Sequence, residues 1–200
     1  INQGKESLGL DLKSSEGRQV FERLVRKAAV VLESFRPGVL SKLGFSFPRL
    51  KKLRPSLILC SITGFGQKGS TAALAGHDLN FLGLSGLLSR IRGRGSSLVI
   101  PDFQVVDLAA GYEASMKIAA ALFESTKKKK AVHLDVSMKG AAVSLSRLYA
   151  EPSPLAGSLP CYGVYETSDG HWMTIAALAV ALVEGRQEDH LPCGSGLEPR

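Results

Sequence analysis

Hydrophobic positions recur along this chain with two periods, and the two take turns. Residues 7–13 (SLGLDLK) place leucines at every second position, which predicts a short strand. Ser14-Ser15-Glu16-Gly17 reads as a turn and helix cap. Over 17–27, Val20, Phe21, Leu24 and Val25 form one face of an amphipathic helix. The run 29–33 (AVVLE) predicts a buried parallel strand. Arg36-Pro37-Gly38-Val39 breaks the pattern, with Pro placed to start a helix. Leu40, Leu43, Leu50 and Leu53 belong to short helical pieces. Residues 56–62 (SLILCSI) give the clearest buried strand and end in the loop Thr63-Gly64-Phe65-Gly66-Gln67. Ligand sites sit at such strand C-termini in open α/β sheets.

The second half continues the alternation. Residues 78–91 predict a helix weakened by Gly83 and Gly86, and 93–97 a loop. The longest helical pattern runs over 105–126, rich in Ala. Asp107 falls in its first turn, where the helix dipole is expected to lower a carboxylate's pKa. Residues 131–136 (AVHLDV) alternate as a strand, and Ser137 caps a helix to about Tyr149. Strands alternating with helices predict an α/β fold built on a parallel sheet. The pattern changes at Glu151-Pro152-Ser153-Pro154. The expected organisation is a large domain over 1–150, a linker over 151–160, the start of a small β-containing domain over 161–182 and an irregular tail over 183–200. Within the small domain, Asp169-Gly170 between alternating runs predicts a hairpin.

Composition narrows the class. The 200 residues are 44% hydrophobic, ample for a core. No apolar run reaches the roughly 18–20 residues of a membrane span, and no signal-peptide pattern opens the chain. The three cysteines, Cys60, Cys161 and Cys193, are far apart and form no CxxC pair. They indicate neither a metal site nor a disulfide framework and fit a reducing, intracellular setting, with the cytoplasm expected and the mitochondrion and peroxisome as alternatives. The net charge is +7 and the pI about 9.5. Nucleic acid, an anionic membrane surface and a polyanionic small ligand are the three partner classes such a charge admits. Lys127–Lys130 lacks interleaved aromatics and fits a solvated helix end rather than a nucleic-acid motif.

Candidate chemistry concentrates between Ala75 and Gly111. His77 lies in Ala75-Gly76-His77-Asp78-Leu79-Asn80-Phe81, and Asp107 is a lone carboxylate in an apolar run. An acid and a base brought together suit proton transfer or covalent carboxylate chemistry. His133 and His171 are expected to be structural, and Cys60, in a core strand, inert.

An ordered set of motifs resembles the family III CoA-transferases, the superfamily that also holds the α-methylacyl-CoA racemases. The set comprises Gly4-Lys5 with Leu10-Asp11-Leu12-Lys13, Phe35-Arg36-Pro37-Gly38-Val39, Gly64-Phe65-Gly66-Gln67, Val106-Asp107-Leu108-Ala109-Ala110-Gly111 and His133-Leu134-Asp135-Val136-Ser137-Met138. Pro160-Cys161-Tyr162, with Tyr165-Glu166-Thr167 and Asp169-Gly170, is similar to the opening of the family's small domain. The resemblance runs from Gly4 to about Leu178. Ala75 to Phe81 is similar to the racemase branch, because transferases generally carry an aromatic residue where His77 stands.

The resemblance implies a Rossmann-like large domain and an acyl-CoA substrate, with no cofactor other than the CoA of the substrate itself. It implies that His77 and Asp107 exchange the proton α to the thioester of a 2-methyl-branched acyl-CoA. Backbone N–H groups near Asp107 are then expected to hold the enolate oxygen. In the transferase branch the same aspartate would instead attack the thioester and form a mixed anhydride. Arg36 and Lys42 match positions near the CoA phosphates. Leu10, Asp11, Leu12, Lys13, Gly76, Asp78, Leu79, Asn80 and Phe81 match segments lining the CoA and acyl pocket. Asp78 and Asn80 are also open to plain capping roles. No metal ligand is implied. The resemblance further implies an interlocked homodimer, a place in lipid metabolism, and truncation at both ends. Ala179-Val180 stand where the racemases have an acidic residue and Pro. A non-catalytic CoA-binding or interaction fragment is the remaining alternative.

Overall fold

The computed structural model describes residues 2–91, 98–128, 130–147 and 162–176. The chain divides into two compact units, Ile1–Arg147 and Leu148–Arg200. The first unit is built on a parallel sheet of β1 (Val30–Glu33), β2 (Ile58–Thr63) and β3 (Val132–Ser137), in that spatial order. Cys60 pairs with Leu32 on one side and Leu134 on the other. The central position of β2 explains its unbroken apolar run, since a parallel strand with neighbours on both edges is covered on both faces. The run 29–33, expected to be buried, instead forms an edge strand, and Leu32 is 58% exposed.

Helices cover both faces. α1 (Ser15–Lys27), α2 (Val39–Lys42) and α3 (Phe47–Leu53) pack on one, where Val25, Leu40, Phe45 and Leu50 meet Leu57 and Leu59. The long α5 (Val105–Lys128) and α6 (Met138–Ser146) pack on the other, where Ala110, Ala114 and Ala141 meet Cys60 and Val136. Successive strand residues point to opposite faces, so Leu59 serves one layer and Cys60 the other. The small alanines let α5 lie close against β2 and β3. Burial pushes the Cys60 thiol pKa up, as suits an inert core cysteine. α4 (Asp78–Leu84) precedes a short 3₁₀ turn, Leu87–Arg90, and rests on a third cluster of Phe81, Leu82, Val106 and Ala142.

Two predicted elements change. Residues 7–13 form no strand. Only Leu12 of their leucines packs on the core, while Leu8 is exposed, and the Asp11 carbonyl takes the Ser14 N–H to start the turn into α1. That turn lies so close to the helix that a Cβ on Gly17 would come within 2.0 Å of the Asp11 carbonyl oxygen. The helix expected over 78–91 divides at Gly86, whose φ of 76° is left-handed and ends the first segment. Elsewhere the ends shift by a few residues. Ser14 and Ser137 cap α1 and α6, their hydroxyls accepting from the Gly17 and Gly140 N–H groups.

In the second unit, β4 (Tyr162–Glu166) and β5 (Trp172–Ala176) pair antiparallel, as the Asp169-Gly170 signal predicts. The Thr167 N–H donates to the His171 carbonyl, and Gly170 takes a left-handed φ of 81°. The expected linker over 151–160, the tail over 183–200 and the loop over 93–97 lie outside the described residues.

Candidate active site

His77 is the N-cap of α4, and Asp107 lies in the first turn of α5. One carboxylate connects the two helix starts. Asp78 Oδ1 accepts from the Val106 N–H at 2.6 Å and from the Asp107 N–H at 2.9 Å. The first N–H groups of a helix have no partner within it. Gln104, immediately before α5, is not a favoured capping residue, so the cap comes from α4. The His77 backbone is fixed as well. Its N–H donates to Asn80 Oδ1 at 2.9 Å, and the Asn80 N–H returns to the His77 carbonyl at 2.9 Å.

Beneath this corner sits Phe81, fully buried and edge-on to Phe65 with ring centroids 5.3 Å apart. A Cβ added at Gly64 or Gly76 would stand 2.7 or 2.8 Å from the Phe81 ring. The loop after β2 and the residue before His77 therefore both close on that ring because they lack side chains. Phe81, expected to line the ligand pocket, is a core residue whose ring supports the site from below.

His77, Asp78, Leu79 and Asp107 line one cavity of about 440 Å³, together with the segment just before α5. Burial raises the Asp107 pKa, the neighbouring Asp78 carboxylate raises it further, and His77 partly opposes the rise. This reverses the lowering expected from the helix dipole. The cap position is already occupied by a like charge, which with desolvation outweighs the dipole. Nor are the nearby backbone donors available to an enolate. The Val106 and Asp107 N–H groups are committed to Asp78, and the Leu108 N–H to the Gln104 carbonyl.

The other expected ligand residues stand elsewhere. Leu10 to Lys13 form the entry to α1, where the Asp11 carboxylate accepts the Lys13 N–H and the Leu12 carbonyl accepts from Arg18 Nε. Arg36 lines a separate cavity of about 220 Å³ with Glu33, Gln67 and His133. Lys42 is exposed at the end of α2. None of these lines the His77–Asp107 cavity. His133 bonds Ser61 Oγ through Nε2 at 2.9 Å, and desolvation lowers its pKa. Asp102, Phe103 and Gln104 line the His77–Asp107 cavity and escaped the sequence reading. The weak cap at Gln104 was the available signal that something from outside must serve α5. Among the described residues no group of three potential metal ligands occurs, and no helix is long and apolar enough to cross a membrane.

Comparison with known proteins gives the frame for this geometry. The human alpha-methylacyl-CoA racemase is 36% identical over 96% of this chain and 55% of its own length. The acetyl-CoA:oxalate CoA-transferase of Acetobacter aceti is 38% identical over 69% of this chain and 36% of its own. The crystal structure of a CAIB/BAIF family protein from Brucella suis superposes with a TM-score of 0.77 at 30% identity, covering 88% of this chain and 49% of that one. The chain thus spans about half the length of the racemase it matches. The pattern of CoA-transferase family III matches residues 1–185, and the chain belongs to that family.

Proposed function

We propose that this site exchanges the α-proton of a 2-methyl-branched acyl-CoA thioester, with His77 and Asp107 on either side of the α-carbon. The observation that carries the reading is the pair itself: a His and an Asp from two helix starts, lining one cavity and coupled in charge. A carboxyl whose pKa is raised holds a proton more readily than an ordinary aspartate, which suits alternating acid and base roles. One of the pair removes the proton, the thioester carbonyl takes the charge as an enolate, and the other returns a proton to the opposite face. The enolate oxygen is assigned to the N–H groups at the start of α4, Asp78 and Leu79, which precede the helix's own acceptors and whose residues line the cavity. CoA enters as part of the substrate, and this chemistry asks for no other cofactor. Arg36 and Lys42 are assigned to the CoA phosphates, and a second copy of the chain is the proposed partner.

A transferase reading has its own support, since Acetobacter aceti acetyl-CoA:oxalate CoA-transferase is among the relatives and Asp107 is exposed to the cavity as a nucleophile must be. A single-enantiomer 2-methylacyl-CoA incubated in D₂O separates the two. Deuterium at the α-carbon without an acid acceptor, abolished in H77A and D107N, is the expected result. Acyl exchange that requires a carboxylic acid acceptor, with no deuterium incorporated, would overturn the racemase reading. CoA binding by calorimetry with no turnover of either kind would assign the chain a binding role.

A further inference from the structure

The proton-exchange reading names two residues and leaves open what fixes the distance between them. Nothing local to α5 does so. Gln104 offers no short polar side chain to the helix start, and the chain between α4 and α5 is long. The only described hydrogen bonds from the Val106 and Asp107 N–H groups to a side chain run to Asp78. Asp78 is itself the residue after His77. One carboxylate is thus bonded to the backbone of one member of the pair and is the covalent neighbour of the other.

We propose that Asp78 is the positioning residue of this site, its carboxylate capping α5 from the start of α4 and so holding Asp107 against His77. The proposal rests on the pairing of His77 with Asp107. It takes the Asp78 carboxylate Oδ1 out of the CoA-contacting set, because that oxygen is spent on two amides at 2.6 and 2.9 Å, and leaves the Asp78 N–H to the enolate. Charge adds a second consequence. Asp78 brings a like charge to Asp107, which disfavours ionisation of the Asp107 carboxyl, while His77 acts in the opposite sense. The other titratable group on the cavity wall is Asp102, ahead of α5. The same contact therefore sets the place of Asp107 and adds to the burial that already favours its protonated form.

The test uses the 200-residue chain and two variants that divide these roles. D78A removes the acceptor and the charge. D78N keeps an acceptor oxygen and removes the charge. Amide hydrogen exchange at Val106 and Asp107 reads the cap, and a ¹³C-carboxyl titration of Asp107 reads the charge. In D78A both amides are expected to exchange about tenfold faster, the usual scale for a lost helix cap. In D78N they stay within about threefold of wild type, since a neutral acceptor weakens the bond without deleting it, while Asp107 titrates at lower pH than in the parent. The titration reads the charge of Asp78, and the amides in D78A read the cap. Unchanged protection in D78A, or an unshifted Asp107 in D78N, overturns the proposal. Should D78A fail to fold, the Asp107 titration in D78N still decides, an unshifted carboxyl overturning the proposal. None of these measurements depends on turnover. If they come out as expected while D₂O exchange stays nil, the proton-exchange reading fails and the positioning role stands. Turnover with unmoved amides and titration gives the reverse.

Discussion

Gly76→Ala probes the packing that carries His77. The glycine lacks a left-handed φ, so alanine meets no backbone strain there. On its own, the loss of unfolded-state freedom would stabilise the protein by about 0.4–1 kcal/mol. The obstacle is steric. The new Cβ would lie 2.8 Å from Cζ of Phe81, and carbon atoms settle at about 3.5–4.0 Å. The ring would have to retreat by about 0.7 Å, yet it is fully buried, and it is hemmed in at Gly64, where an added Cβ would stand 2.7 Å from the same Cζ. Overpacking of this kind costs about 1–3 kcal/mol, so destabilisation wins. Phe81→Ala alone should cost about 3–5 kcal/mol by opening a cavity. In the double variant the Gly76→Ala methyl enters that cavity, so its penalty should vanish, leaving a favourable coupling of about 1–3 kcal/mol. Urea unfolding of the four proteins measures the cycle. A Gly76→Ala penalty as large with Phe81 absent as with it present would refute the steric account. His77 is the next residue, so the single variant is also expected to slow the proposed α-proton exchange.

Three further outcomes are expected. Ser137→Ala removes the hydroxyl that accepts the Gly140 N–H and should cost about 1 kcal/mol in thermal or urea unfolding. Asp107 has a raised pKa in the fold, so the folded state binds the extra proton and stability falls as pH rises from the unfolded carboxylate value through the folded one. Asp107→Asn should remove that fall and be more stable than the parent at neutral pH, as unfolding midpoints across pH would show. His133 has the opposite sign. Its pKa is lowered, so stability is lost as pH drops through the unfolded histidine value toward the folded one, and His133→Gln should flatten that limb of the same profile.

The sheet was legible in the sequence because its signals are local: β2 is an apolar run, and α1 and α6 announce themselves with Ser14 and Ser137. What escaped depends on neighbours. The alternation of Leu8, Leu10 and Leu12 imitates a strand, but no described strand pairs with it. A run as apolar as Val30-Val31-Leu32 suggests a covered strand, yet its position at the edge leaves Leu32 in the open. The candidate pair was named from motifs, and the fold brings both residues to one cavity. The sign of the Asp107 shift was not legible, because it comes from burial in the fold and from a charge that lies on another helix. Position in a first turn speaks for the dipole, and only the fold reveals that Asp78 already occupies the cap.

The bond from Asp78 to α5 also decides what evolution can alter cheaply. It short-circuits the intervening chain: the spacing of the two helix starts is set across space, and the connection need not transmit it. Closing a loop twice as long costs only about 0.6 kcal/mol more. Insertions between Ser85 and Gln104 should therefore leave the His77–Asp107 geometry intact while reshaping the cavity mouth at Asp102 and Phe103. The shape of the cavity and the placement of the His77–Asp107 pair would then diversify in separate parts of the same corner.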